Sequence, residues 1–184
     1  MNSNSNYPDK KDKCNKEEKK CCPTVLRCNT NPTPVTFTAA TTTATQVGSA
    51  DICSKNIKNP CTKVDIATNV TLTGAIDAAT TFSFQVFKAP CCAPTQTTPV
   101  GLPWILKPTA VDIAAGATAT TSFAFTVCDC TPSCNCYNRC SCYNNDCFIY
   151  TVVATPTVAG AGSVAFRNTT VSLISTCNTC NCCY

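Results

Sequence analysis

Histidine is missing from this chain of 184 residues. With it go the commonest general base near neutral pH and the commonest metal ligand. Only six glycines occur, with no period of three, which excludes a collagen-like rod. No run of about 18 apolar residues is present, so no membrane-crossing helix is expected. Charge is scarce too: 13% of residues, with a formal net charge of +4. Six of the fourteen cations are lysines within the first twenty positions. From Cys21 onward, eight Lys or Arg face six Asp, which leaves no broad phosphate-binding face. A cysteine nucleophile would lack its base here. No enzymatic function, no cofactor, no nucleic-acid partner and no membrane partner are therefore expected.

What the chain has in excess is cysteine, 19 in all, beside 44% apolar residues. A chain of this length can bury a core without covalent help, so the thiols need another purpose. They are also placed unevenly. Cys14, Cys21, Cys22 and Cys28 precede the first apolar segment, and Cys91-Cys92 sit in a Pro-rich stretch. Cys177, Cys180, Cys182 and Cys183 crowd the C-terminus, while Cys53 and Cys61 bracket a turn across which they could pair. The densest run is Cys128-x-Cys130-x3-Cys134-x-Cys136-x3-Cys140-x-Cys142, followed by Cys147. Three C-x-C units at a spacing of six suit either a disulfide-crosslinked loop or a thiolate metal cluster. Asp129, between two of these cysteines, is expected to be a solvated loop carboxylate.

Neighbouring cysteines resist bonding to each other, so each vicinal pair is expected to seek two partners. Nineteen is odd, and at least one thiol must be free, metal-bound or joined to another chain. The gathering at both ends of the chain favours bonds between subunits.

Residues 1–20 are polar and charge-mixed, with nothing to bury, and are read as a flexible tail. Cys21–Pro34 forms a connector whose prolines favour extended or turn backbone. The polar start has no apolar stretch of about 7–15 residues and no small-residue cleavage site, so no secretory signal is expected.

From Val35 the texture becomes rich in Thr, Val, Ile and Phe, which favours strands. Val64, Ile66, Val70 and Leu72 share one face, as do Phe82, Phe84 and Val86, and Phe123, Phe125 and Val127. Phe148–Val153 is apolar on alternate residues of both faces. Val164–Phe166 and Val171–Leu173 look like a final pair turned around Arg167-Asn168. With Val35–Thr38, Val47–Ile52 and a stretch near Trp104–Leu106, eight or nine strands are expected. Ala89–Pro103 and Asp129–Asn145 are read as loops, and Trp104 as a core anchor. The fold class is all-β: a two-sheet β-sandwich, jelly-roll-like, with an immunoglobulin-like order as second choice. Residues 1–34 form the tail and connector, 35–176 the sandwich with its cysteine-rich loop 128–147, and 177–184 a cysteine-rich tail.

The segments KKCCPTVLRCNT, FQVFK, PWIL and FTVCDC, with a final Tyr-Thr-Val-Val strand, resemble an uncharacterised cysteine-rich family from spore-forming clostridia. The resemblance runs from about Lys19 to Ser175. More loosely, the layout is similar to the subunits of bacterial endospore appendages, jelly-roll proteins that stack into fibres. In those, a connector with a double and a single cysteine bonds covalently to earlier subunits. By position, the resemblance gives that role to Cys21, Cys22 and Cys28. The receiving cysteines would come from Cys91, Cys92 and the tail set Cys177, Cys180, Cys182 and Cys183.

It also implies synthesis in the mother-cell cytosol without a signal peptide, exposure on lysis, and a place on the spore surface. The expected partners are copies of the chain itself, in a helical filament held by β-augmentation and disulfides. The charged extension, the C-x-C loop and the cysteine-rich C-terminus depart from that pattern. They keep a coat or exosporium protein, a cysteine-thiolate metal binder and a monomeric adhesin open as alternatives.

Overall fold

The computed structural model describes residues 23–54, 57, 60–109, 111–114, 117–130 and 147–177. Eleven strands run through them: β1 Val25–Asn31, β2 Val35–Thr38, β3 Thr45–Cys53, β4 Pro60–Thr73, β5 Ala75–Ile76, β6 Thr81–Pro90, β7 Thr98–Leu106, β8 Val111–Asp112, β9 Ala119–Cys130, β10 Cys147–Thr157 and β11 Ser163–Cys177. One sheet has the order β1-β11-β4-β9, with β2 continuing the β1 edge along β11. The other has the order β3-β10-β6-β7, and β5 pairs only with β8. Every pairing is antiparallel.

With β1 and β2 counted as one edge and the β5–β8 ribbon set aside, eight strands remain. The first pairs with the eighth, the second with the seventh, the third with the sixth and the fourth with the fifth. That nesting is a long hairpin wound onto itself into two sheets. An immunoglobulin-like order would instead seat the first two strands side by side, and it is not found.

The period-two pattern is what makes the sandwich. Val64, Ile66, Val70 and Leu72 turn inward from β4, and Phe82, Phe84 and Val86 from β6. Val164, Phe166, Val171 and Leu173 join them from β11, and Tyr150, Val152 and Ala154 from β10. At the centre Phe37, Phe82, Phe84 and Phe166 meet edge to face at 5.0–5.6 Å. Each ring presents its positive edge to a neighbour's negative face.

Four expectations need correction. Val164–Phe166 and Val171–Leu173 are not a hairpin but one strand, bent at Asn168, whose φ is +51°. One residue in the left-handed region makes a bulge, seen as a register shift between Arg167 and Thr170 against β4. Thr68 closes it, with its hydroxyl 3.3 Å from the Arg167 carbonyl and 2.9 Å from the Thr169 hydroxyl.

The Pro-rich loop is shorter than read, because Thr98–Pro103 belongs to β7, an edge strand that tolerates proline. Trp104 is not a core anchor: it is half exposed and stacks on Phe125 at 5.7 Å. Finally, the connector contributes β1, a strand not anticipated before Val35, paired along its whole length with β11.

A candidate thiol pole

Strand direction sets where the cysteines lie. Register places Val25, Pro60, Cys130 and Cys177 at one end of the first sheet, and Cys53, Pro90 and Cys147 at the same end of the second. The sequence blocks 29–52, 62–90, 93–127 and 148–176 hold no cysteine, and they supply the sandwich body and its whole far end. At that far end the chain turns tightly on glycine instead. Gly160 has φ +92°, and a Cβ there would stand 2.6 Å from the Ala75 carbonyl oxygen.

Between described residues two disulfides cross the pole, one within each sheet. Cys53 bonds Cys147 between β3 and β10, and Cys61 bonds Cys130 between β4 and β9. In both cases the partners are directly opposed residues with Cα atoms 4.0 Å apart. This corrects the local Cys53–Cys61 pairing, since each of the two is taken by a cysteine of the central cluster. Alternation explains the C-x-C spacing here. Cys128 and Cys130 project from the same face of β9, yet only Cys130 has a cysteine across from it, whereas Cys128 faces Lys63. Cys177 is disulfide-bonded as well.

Four described cysteines are free and exposed: Cys28, Cys91, Cys92 and Cys128. Cys28 accepts a hydrogen bond from the Ser172 hydroxyl at 3.4 Å. The strand order puts Cys28 and Cys128 three strand spacings apart, about 14 Å. A disulfide needs Cα atoms within about 7 Å, so these two cannot close on each other in one chain.

The Cys91 amide donates to the Cys147 carbonyl at 3.0 Å, which seats the vicinal pair beside the Cys53–Cys147 bond. Burial pushes the Cys91 thiol up, and the Asp51 carboxylate and neighbouring Cys92 add to the effect. Less thiolate then forms near neutrality than at an ordinary thiol.

Asp129 is not a solvated loop carboxylate. It accepts hydrogen bonds at 2.6 Å from both the Tyr150 hydroxyl and the Lys88 ammonium. Lys88 also lies over the Phe148 ring, 4.2 Å from its centroid. This three-way contact ties β9 of one sheet to β6 and β10 of the other. It escaped sequence reasoning because the residues are far apart in the chain and each is unremarkable alone.

Cys14, Cys21, Cys22, Cys134, Cys136, Cys140, Cys142, Cys180, Cys182 and Cys183 lie outside the described residues. Among the described residues no three Cys, Asp or Glu side chains are grouped to hold a metal ion.

No curated protein matches the chain. Among solved structures, it is similar to a structure of infectious bursal disease virus Gx strain at 10% identity and a TM-score of 0.29, over 85% of this chain and 40% of that one. A structure of the Gt strain aligns at 7% identity and TM-score 0.26, covering 84% and 40%. The VP2 subviral particle of the same virus aligns at 9% and 0.28, covering 83% and 41%. The chain thus spans about two fifths of the length of these neighbours. Residues 22–176 match the family described as a domain of unknown function, DUF4489, and the chain belongs to that family.

Proposed function

We propose that this chain is a structural, self-assembling subunit of a disulfide-crosslinked fibre on the endospore surface. The observation that carries the reading is the polarity of the thiols. The described cysteines all lie in the half of the sandwich toward one end, where four thiols remain exposed after the sheets have been stapled. A covalent framework meant only for internal stability has no reason to leave Cys28 and Cys128 exposed and out of each other's reach. Bonds to another copy give them partners. Two thiols lose two protons and two electrons as the S–S bond forms, and dioxygen met on release from the cell is the oxidant. The resulting bond removes the exchange of subunits that a noncovalent contact would allow.

The endospore setting rests on the resemblance of the connector, FQVFK and FTVCDC segments. Synthesis in the mother-cell cytosol, followed by exposure on lysis, belongs to the same resemblance. The metal-binding alternative is weakened by the disulfides of Cys130 and Cys147, which take two of its seven thiolates.

Non-reducing electrophoresis of the native assembly tests the proposal. A ladder that survives boiling in detergent and collapses with a thiol reductant is expected, with filaments visible by electron microscopy. A single monomer band with and without reductant rejects it.

A further inference from the structure

A sandwich of two open sheets has four edges, and each is a template for another strand unless something blunts it. Three are blunted here. The β1–β2 edge is broken by Pro32 and Pro34, and the β1 and β3 edges lie against each other. There Asn29 donates its side-chain amide to the Ser49 carbonyl at 2.8 Å, and Asn31 donates to the Val47 carbonyl at 3.3 Å. Carbonyls that an incoming strand would use on β3 are thus already occupied. The β7 edge carries Pro99 and Pro103, which have no amide hydrogen, and Gly101 at φ +66° interrupts its extended backbone.

β9 is different. Its twelve residues, Ala119–Cys130, contain no proline, no glycine and no cation. Its single charge, Asp129, is engaged by Lys88 and Tyr150. Among the described residues nothing pairs with the side of β9 that faces away from β4. The strand beside it, β7, exposes Leu102, Trp104 and Ile105, the last two about half exposed and Leu102 at 84%. Trp104 stacks on Phe125 of β9, so β7 stands next to its open edge.

We infer that β9 pairs antiparallel with β9 of a second copy, making a two-fold symmetric dimer with one continuous sheet across both subunits. The second copy follows from the edges themselves: the β3 and β7 edges of another copy would meet β9 with occupied carbonyls or missing donors, and its β1 edge already lies against β3. Self-pairing is also free of charge conflict. About an axis through the pair of Ala124 residues, Asp129 of one copy faces Ala119 of the other. Such a contact is isologous and closes on itself. Growth beyond the dimer then needs a different surface, and the exposed Cys28, Cys91 and Cys92 thiols lie away from β9. The inference shares self-association with the fibre reading but needs no disulfide, so the two can fail separately.

Sedimentation of the full chain under excess reductant tests it. A reversible dimer is expected, and a monomer at all concentrations overturns the inference. Ala124 is exposed, and Ala124→Lys sets two like charges close to the axis. That substitution should weaken the dimer at least ~10-fold while leaving the thermal midpoint of the monomer in place. An unweakened A124K dimer overturns the assignment to β9. Hydrogen exchange on the wild type needs no variant: the outward-facing amides of Thr120–Thr126 should gain protection as concentration rises. Equal exchange at low and high concentration argues against the pairing in the same way.

Discussion

The Tyr150 hydroxyl donates to the Asp129 carboxylate at 2.6 Å, joining the two sheets beside the disulfides rather than through them. Tyr150 is almost wholly buried, and Lys88 completes the contact from a third strand. Removing the carboxylate strands a buried phenol and an ammonium at once. Asp129→Ala should therefore cost about 1–3 kcal/mol, and Tyr150→Phe about 1 kcal/mol. The double variant should cost less than the sum, because the two share one interaction. Urea unfolding of the three variants measures this.

Alkaline pH should act through the same tyrosine. Burial, first, and then the hydrogen bond to Asp129 push the Tyr150 phenol far above its ordinary range. In the unfolded chain it ionises near pH 10. The folded state holds the proton longer, so its contribution to stability is full below that pH and falls as pH rises beyond it. Absorbance at 295 nm should show one tyrosine of the five ionising only with unfolding. Tyr150→Phe should remove that component.

The disulfides close long loops, with sequence separations of 94 and 69 residues. Losing either, through Cys53→Ser with Cys147→Ser or Cys61→Ser with Cys130→Ser, should cost on the order of 2–4 kcal/mol. Denaturant midpoints of the two double variants, with wild type under reductant as reference, give the comparison. Unchanged midpoints would mean the sheets hold these ends without covalent help.

Thiol mapping should separate the described cysteines cleanly. Alkylation of the unreduced, dispersed monomer should label Cys28, Cys91, Cys92 and Cys128 and spare Cys53, Cys61, Cys130, Cys147 and Cys177. Because the Cys91 thiol is raised, its labelling should be slower near neutrality than that of an unhindered thiol. Its rate should go on climbing at pH values where an ordinary thiol has levelled off. Peptide mass analysis across a pH series reads both.

Asn168 offers a backbone test. At φ +51° glycine is at ease and a β-branched residue is not. Asn168→Gly should leave stability nearly unchanged. Asn168→Val should lower it by about 1–2 kcal/mol, measured by thermal unfolding.

Much of the sandwich was legible because alternation is a local signal. Val64, Ile66, Val70 and Leu72, or Phe82, Phe84 and Val86, declare their shared face within a few residues, and all are buried. Asn168 misled because its own residue type favours a turn, while neighbours on both sides of β11 keep the strand going through it. β1 was hidden since an edge strand buries little: Leu26 is 65% exposed, so alternation fades. The thiol positions were plain in the sequence, but their partners were not. Cys61 finds Cys130 only because β4 lies beside β9, a fact of topology that spacing along the chain does not contain.

That nesting has a consequence for what the native bonds report. Cysteines 94 and 69 positions apart stand opposite each other because β3 lies beside β10 and β4 beside β9, so each bond is a covalent record of one long-range strand pairing.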